Sequence, residues 1–248
     1  LGSGTSQGVP VIGCSCAVCR SLDFKDKRLR VSIHISVDHQ SFIIDSGPDF
    51  RQQILRERIT HLDALIFTHE HKDHTAGMDD IRSFNFLQKQ AIPIYARESV
   101  IEQLKREFEY VFSKNQYPGV PQVNVIPIVN TPFQINGVPI NPIEALHFKL
   151  PVFGFRIKDF TYLTDIKTIS ESEKEKAKGS KVLLLDALQK EDHISHLTLS
   201  EAIVLAEEIG AEMTYLTHVS HRMGLHRDIN SELPDNIKLA YDGLQIEI

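Results

Sequence analysis

The chain has no apolar run close to the roughly 20 residues that a bilayer-spanning helix needs, and no positively charged start leads into an apolar stretch. Neither a membrane span nor a secretory leader is expected. Cysteine is scarce: three in 248 residues, an odd number crowded at positions 14, 16 and 19, which excludes a disulfide framework. Thiols packed so closely point to a reduced, metal-binding cluster and to a cytoplasmic protein. Positive charge is also short. Lys and Arg number 27 against 33 Asp and Glu, a net charge of −6, which argues against broad, salt-driven nucleic-acid binding. Repeats, low-complexity runs and linkers are absent too, and we read 1–248 as a single domain. The record opens at Leu1 rather than Met, so a few residues of a first strand are expected to be missing.

What remains is ordinary globular material, 42% hydrophobic and 24% charged, long enough for an ample core. The one unusual count is histidine, at 12. Residues 31–37 alternate, with Val31, Ile33, Ile35 and Val37 on one face, and read as a strand. Further strands are expected at 41–45, 63–68, 138–146, 152–157, 160–164, 181–186, 213–217, 238–240 and 244–248. Helical patterns cover 50–58, 97–112 and 199–209, and the polar stretch 171–178 reads as a solvated helical face. Thr198 and Glu201 form a capping box, which marks a helix start. Strands in two batches, each followed by helices, imply two sheets with helices outside.

The glycines of Gly2-Ser3-Gly4-Thr5-Ser6-Gln7-Gly8 match neither the dinucleotide fingerprint nor a phosphate loop, which needs Gly-Lys-Ser/Thr. They read as a tight loop after a truncated strand. The informative segment is Thr68-His69-Glu70-His71-Lys72-Asp73-His74, directly after the apolar strand Ala64-Leu65-Ile66-Phe67. A loop at a strand's carboxyl end can turn alternate side chains into one cleft. His69 and His71 would serve one ion, and Asp73 and His74 a second. Imidazole with carboxylate suits zinc, manganese or iron and leaves hydrated positions for chemistry. A histidine-rich tag would sit at a terminus and lack the preceding strand.

His-x-His-x-Asp-His at 69–74 resembles the signature of the metallo-β-lactamase superfamily at every ligand position. The resemblance implies an αββα four-layer sandwich with a two-metal cleft. It also implies three further ligands at strand ends, for which His147, Asp165 and His218 stand in the expected order. By this resemblance His69, His71 and His147 hold one metal, Asp73, His74 and His218 the other, and Asp165 bridges. His196, in His196-Leu197-Thr198, resembles the family segment that carries a catalytic histidine, and it joins Asp73 as a catalytic residue. Neighbouring His193 reads as a surface histidine. Arg82 is a candidate phosphate contact, and Asp45, before Ser46-Gly47-Pro48, braces the metal loop.

Cys14-x-Cys16-x-x-Cys19 offers three thiolates, one ligand short of a closed zinc site. His221, three residues past His218, would complete it, with His226 as the rival. This combination resembles the PhnP-type phosphoribosyl 1,2-cyclic phosphate phosphodiesterases, as do 4–10 and Gly77-Met78-Asp79-Asp80-Ile81-Arg82. Two catalytic divalent ions, manganese or zinc, and one structural zinc are thereby implied, with a small cyclic phosphate ester as substrate and a homodimer as the assembly. A Cys-bearing PqqB-like chain lacks the intact motif. The long transfer-RNA nucleases, tRNase Z, carry an RNA-gripping arm between the third His and the bridging Asp, whereas here those residues stand only 18 apart. The competing readings are a tRNase Z-like nuclease, a thioester or lactone hydrolase, and a non-catalytic metal-binding protein. The segment 113–122 is the candidate specificity loop.

Overall fold

The computed structural model describes residues 1–115 and 117–248; Gln116, inside the candidate specificity loop, lies outside the described residues. The chain divides into two compact units. The first comprises Leu1, Ser32–Val129 and Ile135–Val138; the second comprises Gly2–Val31, Asn130–Gln134 and Pro139–Ile248.

A five-stranded sheet organises the first unit: β1 (Ile33–Val37), β2 (Gln40–Ile44), β3 (Ala64–Ile66), β4 (Ile92–Ala96) and β5 (Val123–Pro127), in that order. β1 and β2 form an antiparallel hairpin in register Val37↔Gln40. Its two turn residues, Asp38 and His39, both have positive φ, the backbone twist that a two-residue hairpin loop requires. β2 to β5 run parallel. Parallel strands are covered on both faces and read as unbroken apolar runs, and Ala64, Leu65 and Ile66 are fully buried. In such a sheet ligands gather at the carboxyl ends of the strands, which is where the His-rich motif leaves β3. The core packs Phe50, Leu65, Phe67, Met78 and Leu104 around this sheet.

Gly77 follows the motif because of a close approach. A Cβ there would lie 2.1 Å from the Gly47 carbonyl oxygen and 2.7 Å from the Phe50 Cβ. Only a residue without a side chain lets the end of the motif segment lie against 46–50, where Gly77 N–H donates to Ser46 O at 2.7 Å.

In the second unit an eight-stranded sheet takes β7 (Val138–His147), β8 (Leu150–Ile157) and β9 (Phe160–Leu163) as antiparallel neighbours. It continues parallel through β11 (Val182–Asp186), β12 (Met213–Thr217) and β13 (Ile237–Leu239). β10 (Thr168–Ile169) and β6 (Phe133–Ile135) each pair with β7. Strands β8 and β9 fill the interval between His147 and Asp165, so no arm is inserted there. The helix α8 (Leu199–Ile209) begins at Thr198 with both halves of the capping box formed and ends at Gly210 in the left-handed conformation.

Two expectations are corrected. The segment 244–248 forms no strand: its apolar alternation is present, but a turn at 241–244 leads into exposed residues that pair with no strand among the described residues. The helix expected over 97–112 divides at Phe108 into α5 (Glu98–Glu107) and α6 (Glu109–Phe112). Strands β4 and β5 lie outside the expected set, because Pro93, Asn124 and Pro127 interrupt their apolar pattern.

Candidate metal and catalytic centre

In the first unit the motif residues leave β3 and enter the short helix α3 (Lys72–Thr75), with His71 at its N-cap. The rings of His69 and His71 lie 4.6 Å apart, and those of His69 and His74 4.2 Å apart. Asp73 Oδ2 stands 3.3 Å from His74 Nε2. His69 and His74 are buried, whereas His71 is exposed and Asp73 half-buried.

Behind these rings stands Asp45, fully buried at the end of β2 with a positive φ of 65°. Its carboxylate accepts from Thr68 N–H at 2.9 Å and from His74 Nδ1 at 2.8 Å. It also accepts the Thr68 hydroxyl proton. That hydroxyl has only one proton, so toward His69 Nδ1, 3.0 Å away, it accepts. Both imidazoles therefore carry their proton on Nδ1 and turn an Nε2 lone pair outward. Burial pushes the Asp45 carboxyl above the usual carboxylate range, while His74 and Thr68 pull it down. The expected bracing role of Asp45 has this geometry behind it.

Arg82, at the start of helix α4 (Arg82–Gln88), is half-exposed and ion-paired to Asp79 at 2.6 Å. It lines a cavity of about 300 Å³ with Asn85, Phe86, Lys89 and Gln122.

In the second unit the strand-end residues converge. His147 ends β7 and donates from Nδ1 to Ser195 O at 2.9 Å. A carbonyl can only accept, so His147 also presents Nε2 as its lone-pair atom. Asp165 and His218, just past β9 and β12, adopt the left-handed conformation with φ of 54° and 58°. Non-glycine residues are held there at a cost of order 1–3 kcal/mol, a strain that clusters at functional sites. His218 Nε2 lies 3.3 Å from Asp165 Oδ1, and His196 Nε2 3.9 Å from the same oxygen. The His196 and His218 rings stack at 4.7 Å with a 16° interplanar angle, and His147 meets His196 at 4.5 Å.

The residue that sequence reasoning missed is Asp186. It is fully buried at the end of β11. It faces His196 Nδ1 at 3.4 Å and His218 Nδ1 at 3.5 Å through its two oxygens, and it accepts from Leu197 N–H. One carboxylate thus backs two imidazoles and turns both Nε2 atoms toward Asp165. The available signal was an acidic residue at the end of the apolar strand expected over 181–186. His193, expected at the surface, is half-buried, with its ring 5.1 Å from that of His196.

Elsewhere in the second unit, Cys14, Cys16 and Cys19 gather around His221, with sulfurs 3.3, 3.4 and 3.6 Å from its Nδ1. Zinc with bonds of about 2.3 Å to sulfur and about 2.0–2.1 Å to nitrogen requires sulfur–nitrogen edges of about 3.5 Å in a tetrahedral site, and the three sulfur–nitrogen distances fit. The Cys16 thiol is drawn down to about 6, first by the Cys19 backbone N–H and then by His221. Burial pushes Cys19 up to about 11. One thiolate forms readily and a second beside it does not, an imbalance that a bound cation removes. His226 stands apart from this group: its Nδ1 meets Arg28 Nη2 at 3.2 Å. Burial and then Arg28 lower its pKa to about 4.

The donor chemistry is that of a metallohydrolase, and the chain belongs to the beta-lactamase superfamily, whose domain is matched over residues 40–219. It has the metallo-β-lactamase fold. Within that class it is similar to the crystal structure of a new diphosphatase from the PhnP family. That protein is 39% identical, with a TM-score of 0.92 over 98% of this chain and 93% of that one. The chain is also 40% identical to an octanoyltransferase of Porphyromonas gingivalis, over 99% of this chain and 50% of that protein, so it spans about half the length of this curated relative. Zinc-bound PqqB from Methylobacterium extorquens shares the fold, at 18% identity and a TM-score of 0.79 over 100% of this chain and 98% of that one. Among the described residues, no helix is long and apolar enough to cross a membrane.

Proposed function

We propose that this chain is a phosphodiesterase that opens a small cyclic phosphate, of the ribose 1,2-cyclic phosphate or 2′,3′-cyclic nucleotide type. The observation that carries this reading is His196, a buried imidazole outside the ligand set, stacked on His218 with its Nε2 beside Asp165. It supplies a proton donor where a departing alkoxide would need one. The likeness to a PhnP-family diphosphatase along nearly the whole chain supports phosphorus as the atom attacked.

Two divalent ions, manganese or zinc, would be held by the ligand set that the family resemblance implies: His69, His71 and His147 for one, Asp73, His74 and His218 for the other, with Asp165 shared. Such ions supply Lewis-acid stabilisation of phosphoryl charge and a water acidified towards neutrality. The chain's own residues orient the site. Asp45 holds His74 directly and His69 through Thr68, the Ser195 carbonyl holds His147, and Asp186 holds His196 and His218. Arg82 is assigned to the substrate's phosphate. Residues 1–248 serve one domain, in a cytoplasmic homodimer acting on a small phosphate ester, with no arm for transfer RNA.

The test is turnover of ribose 1,2-cyclic phosphate and 2′,3′-cyclic nucleotides by manganese-loaded protein, followed by phosphorus NMR, with an octanoyl thioester alongside. Appearance of a phosphomonoester resonance is the expected result. Cleavage of the thioester alone would instead favour carbonyl chemistry, the reading that the octanoyltransferase relative supports.

A structural zinc at Cys14, Cys16, Cys19 and His221 is proposed on the tetrahedral spacing given above. Cys16→Ser is expected to remove one zinc per chain, measured by metal analysis, and to lower the unfolding temperature. His226→Gln should retain that zinc. Structural zinc contributes about 10–16 kcal/mol in small zinc-folded peptides, so a Cys16→Ser protein with full zinc and unchanged unfolding would refute the assignment.

A further inference from the structure

His193 has no part in the ligand set or in the proton transfer assigned to His196. Its surroundings nonetheless fix its chemistry. Ser195 N–H points at His193 Nδ1 from 3.3 Å, and the Ser195 hydroxyl reaches the same atom. A backbone N–H can only donate, so Nδ1 must accept, and the neutral ring carries its proton on Nε2. That Nε2 has no hydrogen-bond partner among the described residues. The ring is half-buried and lies 5.1 Å from His196, which in turn touches His147 and His218. His193 is therefore the solvent-side end of a continuous run of imidazoles, and the only one of the four that is not buried. One short segment carries the whole arrangement: the Ser195 peptide donates to His193 and accepts from His147.

We infer that His193 is a substrate-binding residue whose Nε2–H donates a hydrogen bond to a phosphoryl oxygen of the bound ester. This rests on the phosphodiesterase reading above and adds to it a second, neutral donor beside His196. Being neutral, it recognises an oxygen without adding positive charge, which suits a singly charged diester. Its contribution falls on binding, because the contact is made to an oxygen that does not depart.

The experiment uses manganese-loaded wild type, His193→Ala and His193→Gln, with three readouts. These are bound metal, the dissociation constant of inorganic phosphate by calorimetry, and KM and kcat for ribose 1,2-cyclic phosphate. A hydrogen bond to a charged acceptor is worth about tenfold or more in affinity. His193→Ala should therefore weaken phosphate binding and raise KM about tenfold, with kcat within about twofold and metal content unchanged. His193→Gln, whose amide N–H replaces the donor, should recover most of the loss.

Unchanged phosphate affinity and KM in His193→Ala would overturn the assignment while leaving the phosphodiesterase reading intact. Loss of metal from His193→Ala would also overturn it, because the ring would then serve only to hold the Ser195 peptide behind His147. If no wild-type turnover is seen but phosphate binding is weakened by His193→Ala and recovered by His193→Gln, the phosphodiesterase reading falls and the His193 contact stands. A wild type that neither turns over the ester nor binds phosphate removes both.

Discussion

Asp165→Ala is expected to abolish turnover and catalytic metal together. The Asp165 carboxylate sits at the end of β9 with Oδ1 3.3 Å from His218 Nε2, and its Oδ2 accepts from Thr164 Oγ1 at 2.8 Å. The proposed bridging role gives this one side chain a share in holding both ions, so its loss cannot be made good by the six remaining ligands. Residual activity should fall below about 10⁻⁴ of wild type, since metal-assisted hydrolysis loses both its Lewis acid and its acidified water at once. Metal analysis of the purified variant is the direct check. Two full equivalents of catalytic metal in Asp165→Ala would remove the bridging assignment. Zinc at the proposed cysteine site should be unaffected, which gives the measurement an internal control.

His196→Ala separates chemistry from ligation. Its expected result is turnover slowed about 10²–10⁴-fold, the range for loss of a positioned general acid, with both catalytic ions retained. The loss should be smaller for a substrate whose leaving group is already a weak base, such as an aryl phosphodiester, because that departure needs less protonation. Equal losses on alkyl and aryl esters would argue that His196 acts on the attacked phosphorus group and not on the departing oxygen. Asp186→Asn extends the test one residue back. Asp186 meets both His196 and His218, so the variant should lose metal affinity as well as rate, about 10–100-fold for the first. A variant that lost rate alone would place the whole of its role behind His196.

The parts of the centre that were legible in the chain are those in which the chemistry is local. His69, His71, Asp73 and His74 fall within six residues, so strand, loop and ligand spacing are all present in one stretch of sequence. The capping box at Thr198 and Glu201 likewise spans only four residues, and Cys14, Cys16 and Cys19 fall within six. His147, Asp165 and His218 were reachable only through the order in which a known family places them, because a single His or Asp at a strand end is chemically unremarkable by itself.

Tertiary structure decided the rest. Nothing in the sequence distinguishes His221 from His226 as companion to the thiols; the choice is made by Arg28, which takes the His226 ring into a buried contact. Asp186 is one acidic residue among 33 until β11 carries it, unexposed, behind two stacked imidazoles. His193 reads as a surface residue until the Ser195 peptide fixes its tautomer and His196 lies against it. Sequence by itself determined which atoms are able to bind a metal, since that depends on side-chain type and on spacing along a few residues. Which nitrogen of each ring carries the proton, and which ring meets which carboxylate, depends on hydrogen bonds between segments far apart in the chain. Only the folded backbone brings those segments together.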